Sequence, residues 1–160
     1  MGPALRHRSR AVAALILAAL IPLAAGGAAS GSEPAPDASV VFTVSDLRAA
    51  RGQVLACLVN KASAFPDCSH DPAAHKLAVP VTSHSVRLDF GQVPPGTYAV
   101  AVVHDENGNG RMDKRLFMPR EGFGFSRDAA VRMGPPSFRS AAFVVGAGAV
   151  HHRMKMRYMF

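Results

Sequence analysis

The sequence is notable first for what it lacks. No apolar run reaches the roughly 20 residues that a spanning helix needs. The longest, Ala11 to Ala25, covers about 15 positions and carries Pro22, so a stable membrane span is not expected once this segment is removed. No basic run with interleaved aromatics occurs, so nucleic acid is not among the expected partners. No long stretch repeats its apolar residues at helical spacing after residue 30, which argues against a helical bundle. There are only two cysteines, and neither follows the apolar run, which disfavours a lipid-anchored amino terminus. Arg8-Ser9-Arg10 is not a twin-arginine pair, so folding is expected to follow export.

What is present begins with a targeting signal. Arg6, Arg8 and Arg10 precede the apolar run, and Gly26-Gly27-Ala28-Ala29-Ser30 follows it. A basic segment, a short apolar segment and a small-residue exit predict a secretory signal over residues 1–29, cut between Ala25 and Gly31. Residues 30–39 form a flexible leader and 40–160 a single domain. The expected location is periplasmic or secreted. Three of the 18 basic residues and none of the 11 acidic ones lie in the signal. The exported part therefore carries 15 basic against 11 acidic residues, a net charge of +4 rather than +7.

The oxidising side of a membrane changes how Cys57 and Cys68 are read. An even count and a short separation favour one disulfide. Two free buried thiols, or a metal site completed by His70 and His75, are the alternatives, and the spacing fits no zinc pattern.

Apolar residues in the exported part recur with period two. Val40, Phe42 and Val44 alternate with Val41, Thr43 and Ser45, and Val86, Leu88 and Phe90 alternate with Arg87 and Asp89. At the C-terminus Val150, His152, Met154, Met156 and Tyr158 alternate with His151, Arg153, Lys155 and Arg157, which predicts a half-buried antiparallel strand. Further strands are expected at Gln53–Val59, Lys76–Val81, Thr97–His104 and Phe138–Val145. Thr97–His104 is apolar on both faces, as a central strand would be, and Pro94-Pro95-Gly96 marks the turn before it. About seven strands predict an all-β, antiparallel two-sheet sandwich.

The segment Asp105-Glu106-Asn107-Gly108-Asn109-Gly110-Arg111-Met112-Asp113 is the candidate for chemistry. Asp105, Asn107, Asn109 and Asp113 place side-chain oxygens at loop positions one, three, five and nine, Gly110 occupies the turn position six, and the Arg111 carbonyl falls at seven. Calcium takes six to eight hard oxygens, which alternate residues of a tight loop can aim inward. Position twelve, normally a bidentate Glu, is Leu116, so Glu121 would have to fold back to complete the set. Calcium held this way is expected to bind weakly, on the order of 10⁻⁴ to 10⁻³ M. A polar turn in which Asp and Asn bond their own backbone is the competing reading.

The long segment from Lys114 to Pro136 carries Phe117, Phe123 and Phe125, which either plug the open end of the sandwich or offer a recognition surface. Catalytic constellations are poor. Ser126 lacks a nucleophile context, the adjacent His104 and Asp105 should face opposite sides of a strand, and nothing in the sequence brings Glu106 and Glu121 together. His151-His152 reads as one solvent and one core-edge histidine, and Met154 and Met156 as core packing rather than a copper site.

Three linked motifs resemble a bacterial family, domain of unknown function 2141. They are Pro95-Gly96-Thr97-Tyr98-Ala99-Val100, the run His104 to Gly110 with Asp113, and Pro119-Arg120-Glu121-Gly122-Phe123-Gly124-Phe125-Ser126. Leu47 followed by Arg51-Gly52-Gln53-Val54 fits the family's first hairpin, and the similarity runs from about Val40 to Tyr158. The resemblance implies an exported transthyretin-like or immunoglobulin-like sandwich and no established reaction. It carries over Asp105, Asn107, Asn109, Asp113 and Glu121 as motif residues without assigning them a role. The expected protein is therefore a non-enzymatic binding or structural module whose partner is an envelope protein, peptide or polysaccharide. The alternative is a metal-dependent envelope hydrolase built on Asp105, Glu121 and His104.

Overall fold

Alternating side chains need two apolar faces to meet, and the computed structural model, which describes residues 36–116 and 118–160, packs two sheets face to face. The expected signal, most of the leader and Phe117 lie outside the described residues. The strands are β1 (Ala38–Ser45), β2 (Gln53–Val59), β3 (His75–Pro80), β4 (Val86–Val93), β5 (Gly96–Asp105), β6 (Lys114–Arg115), β7 (Met118–Pro119), β8 (Gly122–Phe125), β9 (Phe143–Val145) and β10 (Val150–Lys155). One sheet has the order β10-β1-β4, the other β3-β2-β5-β8, and β9 also pairs with β5. The small β6–β7 hairpin stands apart from both.

The all-β sandwich is as expected, with ten strands rather than about seven. β5 is central, between β2 on one side and β8 and β9 on the other. The C-terminal strand corrects the expectation: β10 runs parallel to β1, pairing Val40 with Val150 and Ser45 with Lys155. Alternation reports which side chains face the core but is the same for either strand direction. The expected strand Phe138–Val145 is a short helical turn, α1 (Phe138–Ala141), followed by β9. Ser137 caps that turn by accepting from the Ser140 N–H, which halts the strand in favour of a helix start.

Between the sheets lie Val40, Phe42 and Val44 of β1, Val54, Ala56 and Leu58 of β2, Val86, Leu88 and Phe90 of β4, and Tyr98, Val100 and Val102 of β5. Phe42 is fully buried, and its ring packs against Phe143 at 5.3 Å and His152 at 5.3 Å. Each such side chain contributes about 1.5–3 kcal/mol by leaving water. Met154 and Met156 complete this core, as expected of them.

The second face of the central sheet is also covered. Ala99 and Ala101 of β5 meet Phe123, Phe125, Ala129 and Ala141. Cys57 and Val59 of β2 meet Ala64 and Cys68, and the Cys57–Cys68 disulfide fastens that flap to the strand. Phe123 and Phe125 thus pack, buried, on the outer face of the sheet from within β8, rather than plugging the open end of the sandwich or offering a recognition surface.

Ser126 closes a gap in the ladder. β8 pairs with β5 from Ala101 to His104, and β9 from Gly96 to Tyr98, leaving Val100 without a strand partner on that edge. The buried Ser126 hydroxyl accepts from the Val100 N–H at 2.9 Å and donates to the Ala141 carbonyl at 2.6 Å.

Candidate functional site

β5 ends by sending two neighbours in opposite directions. His104 turns inward and Asp105 outward, both fully buried. His104 Nε2 lies 2.9 Å from the Arg51 carbonyl, which can only accept, so this nitrogen carries a proton and donates. Its Nδ1 meets the Tyr158 hydroxyl at 2.7 Å, and that hydroxyl also accepts from the Arg48 N–H at 3.0 Å. Both ring nitrogens are therefore occupied.

Asp105 organises the loop that follows. Its Oδ1 accepts from the N–H groups of Gly108 (2.8 Å) and Asn109 (3.1 Å), and its Oδ2 from Gly110 N–H (2.7 Å) and the Gln53 amide (2.8 Å). Gln53 is available because it is the cross-strand partner of Asp105. Burial pushes the Asp105 carboxyl up, but these four donors together hold it below its ordinary value. Gly108 and Gly110 take φ of 73° and 78°, so the tight loop requires residues without a Cβ penalty.

The rest of the loop folds onto Asp113. Asn107 Nδ2 donates to Asp113 Oδ2 at 2.8 Å, and Asn109 Nδ2 reaches both Asp113 oxygens at 3.0 Å. The Asn109 and Asn107 amides hold the Asp113 carboxyl below its ordinary range. The Asn109 side-chain oxygen accepts from the Arg111 N–H at 3.0 Å, while the Arg111 guanidinium lies 3.7 Å from Asp113. Glu121 does fold back: its Oε2 accepts from the Asp113 N–H at 3.0 Å. Its Oε1 is buried with no partner. Burial pushes the Glu121 carboxyl up and the Asp113 N–H pulls it down, the Asp105 and Asp113 carboxylates push it further up, and the Glu106 backbone N–H pulls it down, with a net rise.

Glu121 opens on a polar cleft of about 180 Å³ lined by Arg48, Arg51, Glu106, Asn107, Asp113 and Arg120. Glu106 pairs with Arg48 at 2.6 Å and Arg51 at 3.2 Å; burial pushes its carboxyl up, but the two guanidinium groups hold it low. The Arg48 guanidinium also stacks 4.5 Å from the Tyr158 ring centroid and donates to the Arg120 carbonyl. Glu106 and Glu121, which nothing in the sequence brings together, therefore line one cleft.

The structure thus gathers Asp105, Asn107, Asn109, Arg111, Asp113 and Glu121 into one loop cluster, held by hydrogen bonds among its own members. Among the described residues, no three His, Cys, Asp or Glu side chains stand in metal-holding geometry. Sequence reasoning missed Arg48, Arg51 and Tyr158, whose roles arise only when the β1–β2 connection, which crosses between the sheets rather than closing the expected first hairpin, and the segment after β10 meet the loop. The strong alternation through Tyr158 was the one available signal.

A family model described as an uncharacterized protein conserved in bacteria, DUF2141, matches residues 42–153. The chain belongs to this family. The DUF2141 match begins within β1, ends within β10 and takes in the whole Asp105–Glu121 cluster, so the expected resemblance holds over a slightly shorter span than Val40 to Tyr158. No curated protein and no solved structure matches the chain.

Proposed function

We propose that this DUF2141 protein is an exported, non-enzymatic β-sandwich module that binds an envelope protein, peptide or polysaccharide, with calcium held in its 105–121 segment. The observation that carries the calcium reading is the buried, unpartnered Oε1 of Glu121 beside two further carboxylates. A carboxylate in that position is costly alone and is relieved by a cation. The Cys57–Cys68 disulfide and the expected signal support an oxidising compartment outside the cytoplasm.

The non-enzymatic reading draws support from groups already engaged. His104 uses both ring nitrogens, and the Ser126 hydroxyl bridges two backbone groups. A hydrolase built on Asp105, Glu121 and His104 would need His104 to leave the core.

Melting of the full chain in millimolar calcium and then in chelator tests the calcium reading. Calcium at ten times its Kd contributes about 1.4 kcal/mol, a rise of about 3–6 °C for a domain of this size. An unchanged melting temperature overturns it.

A further inference from the structure

The lone-pair accounting divides the loop's carboxylates into two kinds. Asp105 accepts four donors on two oxygens, which fills the capacity of a carboxylate. A cation on Asp105 would displace N–H groups that the loop fold depends on. Glu121 is the opposite case. It is 5% exposed, its Oε1 has no donor, and it borders the cleft. Among the described residues the other buried side-chain oxygen without a partner is Asp71 Oδ2, but the Lys61 ammonium stands 3.4 Å from that carboxylate's other oxygen. The Asp105 and Asp113 carboxylates act on Glu121 as like charges, offset in part by the backbone N–H groups of Asp113 and Glu106.

Asp113 is tied to Glu121 through its own backbone N–H, both residues line the cleft, and the Asp113 carboxylate acts on Glu121 as a nearby negative charge. The partners of the Asp113 oxygens are chiefly the neutral amides of Asn107 and Asn109, two exposed side chains that a divalent cation can displace. Of the cleft's three arginines, Arg48 and Arg51 are engaged by Glu106, and Arg120 acts as a nearby positive charge on Asp113.

We infer that the cation seat is the Glu121–Asp113 pair at the mouth of the cleft, occupied by a hard divalent cation that keeps part of its water shell, and that Asp105 positions the loop without ligating. This rests on the calcium reading and assigns its ligands. Two protein carboxylates plus water suit a weakly held, exchangeable cation.

Calcium chloride titrated into the ¹³C-labelled full chain, read at the side-chain carboxyl carbons, tests the assignment without altering the fold. The Glu121 and Asp113 resonances should move most and Asp105 little. Calorimetric titration adds a second readout: Glu121→Gln should weaken calcium at least tenfold, whereas Gln53→Ala, which removes one donor from Asp105, should change it less than threefold. Asp105 moving as far as Glu121, or Glu121→Gln binding as tightly as wild type, overturns the seat while leaving calcium binding intact. No movement at any carboxyl overturns the calcium reading and the seat together.

Discussion

His104 and Tyr158, 54 residues apart, share a 2.7 Å hydrogen bond that fastens the chain end to the last turn of the central strand. The Tyr158 hydroxyl is the hub of this contact, because it also accepts the Arg48 N–H. Tyr158→Phe keeps the ring beneath Arg48 but leaves His104 Nδ1 and the Arg48 N–H without their partner. A loss of about 1–3 kcal/mol is expected in urea unfolding, with an unchanged m-value. A loss below about 0.5 kcal/mol would mean that water replaces the hydroxyl.

Asp105 and Glu121 should give opposite pH dependences. The Asp105 carboxyl is held below its ordinary value of 3.8, so its contribution is complete above that pH and is lost as pH falls through the lowered value. Glu121 is raised above 4.5, so it favours the fold while protonated and costs stability as pH rises from 4.5 through the raised value. In chelator, Glu121→Gln is expected to stabilise the protein at neutral pH, with the gain shrinking towards pH 4.5. Melting temperatures of wild type and variant across pH 4–8 check this.

Ser126→Ala removes the group that fills the ladder gap at Val100. Because the Val100 N–H is buried, the expected cost is about 1–3 kcal/mol. Amide exchange offers a local check: Val100 should lose protection in the variant while Val102, paired through β2 and β8, keeps it.

Reducing the Cys57–Cys68 bond, which spans 11 positions, should lower stability by about 3 kcal/mol on the chain-entropy account and raise the mass by two daltons. The flap around Ala64 should then become the first site of proteolysis, because the disulfide closes it over Cys57 and Val59.

Much of the sandwich was legible because β1, β4 and β10 alternate between core and solvent, while β2 and β5 are apolar on both faces, as strands covered on two sides are. β8 was not, since Gly122-Phe123-Gly124-Phe125 reads as loop punctuation. Those glycines are needed in a strand: a Cβ on Gly122 would run into the Tyr158 ring, and one on Gly124 would come within 2.9 Å of the Lys155 carbonyl. The pattern was thus set by what crosses β8, which no local window contains. The loop's ligand-like spacing was equally legible, but spacing alone could not show that Asp105 spends its oxygens on the backbone while Glu121 keeps one free.

The parallel pairing of β10 with β1 has a consequence for how the chain acquires its shape. β1 lies between β4 and β10, so its ladder is complete only when residues 150–155 arrive. A chain threaded amino end first, through a ribosome tunnel or a membrane pore, shows β1 to its surroundings long before β10 emerges. One flank of β1 then stays an open template for pairing, and such late, sequence-distant closure slows folding and exposes the chain to mispairing. Order of arrival, rather than strength of packing, sets the interval in which this molecule is most vulnerable.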